Sequence, residues 1–167
     1  MKKTATQRWE KKDMHLVEPP KEEPIIIFQY LPIPPSVNAA YKPITDFHGK
    51  RKVISSKELK AFKVECRKWH MMHQKECINA NLLLKGADHI RIAVYVCLHD
   101  STIYTKKREV RCYDVQNRLK NILDAVADMI GKDDKHFTSV HIQKVLIPDD
   151  VEEHCVVRIK PHDLKYF

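Results

Sequence analysis

Glycine is scarce in this chain, with only Gly49, Gly86 and Gly131 among 167 residues. A loop that cradles a nucleotide's phosphates needs several glycines close together, so that class of site is excluded. No G-x-S-x-G elbow is present, and no run of 18 apolar residues or signal-like apolar stretch occurs. The expectation is therefore a soluble, cytoplasmic protein. Cys66, Cys77, Cys97, Cys112 and Cys155 include no C-x-x-C pair and are odd in number. That fits a reducing compartment and indicates no disulfide framework.

What the chain has instead is positive charge. A net charge of +8, a pI near 9.2 and 31% charged residues point to a polyanionic partner. The basic residues bunch at Lys50, Arg51 and Lys52, and again at Lys106, Lys107, Arg108 and Arg111. The length suits one domain with a real core over residues 25–167. Met1 to Pro24, rich in Lys, Glu and Pro, reads as a flexible tail.

Ile25 to Tyr30 is an apolar, β-branched run that predicts a buried strand, and Pro32, Pro34 and Pro35 then stiffen a loop. Tyr41–Ile44 and Arg51–Ile54 flank the turn-like Asp46-Phe47-His48-Gly49, predicting a hairpin with a basic limb. Ser55 or Ser56 can cap one long helix to about Ala80, with Leu59, Phe62, Cys66, Trp69, His73 and Cys77 on one face. Cys66, His70, His73 and Cys77 are zinc-ligand types. Eleven helical residues span about 16 Å, however, so the end cysteines cannot share one ion, and core packing is the better reading. His89–Leu98 alternates with period two as a half-buried strand, Asp100–Val110 is a basic loop expected to be mobile, and Val140–Ile147 and Cys155–Ile159 complete the strands. The class is α+β: a small mixed β-sheet with two main helices packed on it.

One segment carries chemistry. Val115, Leu119, Ile122, Leu123, Val126 and Ile130 recur every three or four residues, the core face of a helix over about 115–130. Asp114, Asn117, Asn121, Asp124 and Asp128 fall within a narrow arc on the other side, expected to be polar and wet. Asp114 suits the N-cap and Gly131 the C-terminal stop. Residues two apart on a helix point about 200° apart, so Gln116 joins Asp114 in one site only where the chain is still extended. Asp133 and Asp134 follow the helix. Adjacent aspartates after Gly-Lys make a solvated turn, or they supply oxygen ligands to a hard cation.

The segment "YDVQNRLKNILDAVADMIGKDDKHF" resembles the core motif of the RusA-type Holliday junction resolvases, D-x-D-N-x-x-K-x-x-x-D-A followed by D-D. "LPIPPSVNAAY" and "VISSKELKAF" are similar to two weaker stretches of that family, and the resemblance runs from about Ile25 to Lys160. It implies a RusA-like fold and a Mg²⁺-dependent (or Mn²⁺-dependent) endonuclease acting on four-way DNA junctions as a homodimer. Carried over, the catalytic residues are Asp114, Asp134 and Lys120. The metal set is Asp114, Gln116, Asp133 and Asp134. The DNA-binding set is Asn38, Lys50, Arg51, Lys52, Lys106, Lys107, Arg108 and Arg111. At position 116 the family's carboxylate is replaced by Gln, which removes one negative charge from the cluster. The alternative is a non-catalytic junction-binding or architectural relative.

Overall fold

Four strands rich in Ile and Val form the main sheet: β1 (Ile26–Leu31), β4 (Ile90–Leu98), β5 (Phe137–Leu146) and β6 (His154–Pro161). These come from a computed structural model, which describes residues 24–111 and 113–163; the tail expected before Pro24 lies outside them. The strand order is β1-β6-β4-β5, with β4 and β5 parallel and the other pairs antiparallel. The sheet is mixed, as the α+β expectation had it. A separate hairpin pairs β2 (Tyr41–Thr45) with β3 (Arg51–Ser55). Asp46 closes its turn by accepting from the main-chain N–H groups of His48 and Lys50.

Period two sorts the side chains of β4. Ile90, Ile92, Val94 and Val96 are buried on the helical side, each contributing about 1.5–3 kcal/mol, while Arg91 is exposed on the other. The expected buried strand at Ile25–Tyr30 is corrected to a half-buried edge. Phe28 and Leu31 are buried, but alternation turns Ile25 and Ile27 to the other face of this edge strand, and Tyr30, at the register shift between Phe28 and Leu31 (φ 57°), is exposed as well.

The long helix expected from Ser56 to Ala80 is broken. Ser56 does cap it, accepting from the Leu59 N–H, but α2 (Lys57–Met72) stops at His73 and α3 (Gln74–Leu83) begins anew. No proline or glycine causes this. The His73 backbone leaves helical geometry (φ −117°, ψ 34°), its ring Nδ1 lies 2.9 Å from the Trp69 carbonyl oxygen, and the ring stacks on Trp69 at 4.1 Å. The helical bond itself survives, since the His73 N–H still donates to the Trp69 carbonyl at 3.0 Å and also to that of His70 at 3.2 Å; the break lies in the His73 backbone angles at this tightened last turn. The helical layer therefore comprises α2, α3 and α5 (Gln116–Ile130), with α1 (Val37–Ala40) and α4 (Asp100–Ile103) as single turns. Cys66, Cys77 and Cys155 are buried in the core; burial pushes the Cys66 and Cys155 thiols up to about 12 and that of Cys77 to about 11, so they pack as apolar groups. No helix among the described residues is long and apolar enough to cross a membrane.

Candidate functional site

Helix α5 carries the candidate site, and its ends are built as the sequence predicts. Asp114 Oδ1 accepts from the main-chain N–H of Gln116 (2.9 Å) and Asn117 (3.2 Å), satisfying two orphan donors of the first turn. Its Oδ2 accepts from Asn117 Nδ2. Gly131 ends the helix in the left-handed region (φ 63°), where an added Cβ would meet Asn81 Nδ2 at 3.0 Å.

The apolar face behaves as expected, with Ile122, Val126 and Ile130 buried and Val115, Leu119 and Leu123 packed against them. The opposite arc does not. Asn121 is only 3% exposed, and its Nδ2 donates to the Pro35 carbonyl at 2.9 Å. Beside it, Arg118 Nη1 donates to the Pro34 carbonyl while its guanidinium lies 4.3 Å from the Tyr113 ring centroid. The wet arc is thus corrected: the proline loop and α1 pack on α5, and two side chains of α5 clamp that loop. Asn38, on α1, is exposed above this contact.

Further along the arc, α5 and α2 enclose a cleft of about 130 Å³, lined in part by Lys63, Arg67, His70, Asn121, Asp124 and Asp128. Burial holds the Asp124 carboxyl above the usual aspartate range. Lys120 and Lys63 pull it back down, and the Asp134 and Asp128 charges push it up further. Asp124, Asp134 and Lys120 therefore share one electrostatic neighbourhood. Asp124 was absent from the sequence-derived site, although it stands four residues after Lys120 on one helix face and matches the acidic residue of the D-A pair in the motif. Lys63 and Arg67 were missed as well, and His70 was weighed only as a zinc-ligand type. Their signal is a polar flank at helical spacing beside the Leu59-Phe62-Cys66 stripe.

Asp133 and Asp134 enter a single 3₁₀ turn, Asp134–His136. Asp133 caps it: the Lys135 backbone N–H donates to its Oδ1 at 3.0 Å and holds its carboxyl below the usual range. Its other oxygen faces Lys135 Nζ at 3.4 Å. Asp133 thus does the turn's structural work, while the Asp134 charge reaches Asp124 electrostatically. Gln116 is exposed, and Val115 before it is already helical (φ −73°, ψ −30°), so the extended stretch that would align positions 114 and 116 is not formed. Among the described residues, no group of three or more His, Cys, Asp or Glu side chains is placed to hold a metal ion.

The basic segments differ in how free their charges are. The Asp100–Val110 loop, expected to be mobile, is ordered by α4, a Tyr104–Val110 bridge and the Arg108–Asp100 ion pair at 2.6 Å. Arg108 also lies over Tyr104, in the left-handed region (φ 62°), and Arg111 Nε donates to the Tyr104 carbonyl. Lys106 and Lys107 are exposed at the tip. In the hairpin, Lys52 pairs with Asp46 at 2.9 Å, whereas Lys50 and Arg51 extend into solvent.

No curated protein matches this sequence. A family model does: the one described as endodeoxyribonuclease RusA matches residues 32–160, which take in the proline loop, the hairpin, the α2/α5 cleft and the Asp133-Asp134 turn. The chain belongs to the RusA endodeoxyribonuclease family.

Proposed function

We propose that the chain is a Mg²⁺-dependent endodeoxyribonuclease that resolves four-way DNA junctions by paired phosphodiester hydrolysis, working as a homodimer. The observation that carries this reading is Asp124 in a cleft that also offers Asp128, Lys63 and Arg67, with Lys120 and Asp134 near enough to act on its carboxyl electrostatically. Carboxylates alone would repel a phosphodiester. Flanked by cations, they can admit one.

The residues present fit a Mg²⁺ site of the open kind. Mg²⁺ is held by one or two carboxylates, with water and substrate phosphate completing its six positions, so a closed set of three protein ligands is not required. Asp134 and Asp124 would hold the ion, whereas Asp114, ten residues before Asp124 and so about 15 Å away along the helix axis, cannot share it. Mn²⁺ satisfies the same oxygen set. When bound, such an ion polarises the phosphate and lowers the pKa of a coordinated water. Lys120 offsets the charge that develops on the phosphate oxygens. Lys63 and Arg67 hold the neighbouring strand by its phosphates, which positions it without reading sequence. Paired cuts in a junction need two such sites related by a two-fold axis, hence the homodimer.

The other reading, a junction binder that does not cut, draws on the neutral Gln116 and on the lack of a gathered three-ligand set among the described residues. Asp134→Asn tests the site. It should abolish nicking of a synthetic four-way junction while leaving junction affinity equal or higher, because it removes metal-binding charge and relieves repulsion of phosphate. Undiminished nicking by the folded variant would remove Asp134 from the site.

A further inference from the structure

Among the described residues, helices cover one face of the four-stranded sheet, and the other is open and one-signed in charge. None of the four strands contains an Asp or Glu. On the open side β4 presents Arg91 and Tyr95, and β6 presents Arg158 and Lys160, with Arg91 opposite Lys160 and Ala93 opposite Arg158 in the register. His141 of β5, opposite Ala93, adds an imidazole to the same region. Arg91 and Arg158 are exposed, and neither forms an ion pair among the described residues. Arg158 lies 5.1 Å from the Tyr95 ring centroid, which keeps its guanidinium close to the sheet. A shallow cleft of about 110 Å³ runs between Arg91, Arg158 and Lys160, with Ile25 at its rim.

Like charges held side by side on a sheet repel one another, and a β-strand gains nothing from them as packing. An anion spanning them turns the repulsion into attraction. Diagonal neighbours across antiparallel strands sit about 7–8 Å apart, so two guanidinium forks stand where successive phosphates of one strand can each be gripped. Because Tyr95 is occupied by Arg158, the face offers phosphate contacts rather than a platform for stacked bases.

We propose that this open face is a second, sequence-independent seat for the sugar–phosphate backbone of a duplex arm, separate from the α2/α5 cleft on the opposite side of the sheet. This presupposes that the chain binds branched DNA. The test uses the full chain, a synthetic four-way junction, and the double variant Arg91→Gln/Arg158→Gln, which keeps most of each side chain's length and should fold as wild type by circular dichroism. Each phosphate contact contributes about 0.9 to the slope of log affinity against log salt, so the variant's slope should be shallower by about 1.8. The corresponding double lysine variant should restore most of it, while nicking at saturating protein stays unchanged. Superimposed slopes for wild type and the glutamine variant overturn the seat alone. A glutamine variant whose sedimentation changes while its slope does not overturns it too, and makes the face a protein contact. If the wild type binds no junction at all, the seat and the proposed function fall together.

Discussion

Replacing Asn121 by Ala isolates the clamp that fixes the proline loop to the site helix. Asn121 is nearly inaccessible, and its amide reaches the Pro35 carbonyl at 2.9 Å. Alanine deletes that donor and leaves a partly buried carbonyl short of a partner, a loss of about 1–3 kcal/mol. Pro35 is itself only half-buried, so water can partly replace the amide, and the lower half of that range, about 1–2 kcal/mol, applies. For a chain of this size each kcal/mol moves the midpoint by about 2–4 °C, so Tm should fall by about 2–8 °C. Asn121→Asp should cost more, because an ionised carboxylate would face the carbonyl oxygen in a site with little water. Thermal unfolding followed by circular dichroism measures both. A shift below about 1 °C for the two variants alike would mean that the loop is held by other contacts and that the clamp is incidental.

Asp114 caps α5 and is also the first carboxylate of the family motif, and two substitutions separate the roles. Asp114→Asn keeps an oxygen for the Gln116 and Asn117 N–H groups and should leave stability nearly unchanged, so a loss of nicking in it would show that this carboxylate acts in the reaction. Asp114→Ala should also cost about 0.5–2 kcal/mol in unfolding experiments, and equal stability of the two variants would deny the cap. Gln116→Asp, by restoring a carboxylate, should lower the metal concentration for half-maximal nicking if position 116 reaches the ion. Because Val115 is already helical, superimposed metal titrations of wild type and variant are expected, and a clear leftward shift would show that the site rearranges to include residue 116.

Much of the scaffold was legible because short-range rules decide it. The apolar stripe of α5, its aspartate cap and its Gly131 stop, the Ser56 cap, the basic hairpin and the alternation of β4 all follow from periodicity and capping chemistry within a few residues. The misses have longer reach. Periodicity assigned Asn121 its angle on the helix but not the proline loop, 86 residues earlier in the chain, that packs there. The break at His73, where the backbone leaves helical geometry and the ring stacks on Trp69, is announced by no breaker residue. Arg108 looked free until the fold brought Asp100 and Tyr104 against it. Asp124 lay in plain view in the polar arc. Only the packing of α2 against α5 and the approach of the Asp134 turn distinguish it from an ordinary solvated aspartate.

The central claim is metal-dependent cutting of branched DNA in the cleft between α2 and α5. It is tested most directly by incubating the wild-type chain with a synthetic four-way junction, and with linear duplex of the same sequence, with and without Mg²⁺. The expected result is symmetric paired nicks in the junction only when Mg²⁺ is present, with the linear duplex left intact. Tight junction binding with no nicks at any Mg²⁺ or Mn²⁺ concentration would contradict it and make the chain a junction-binding protein.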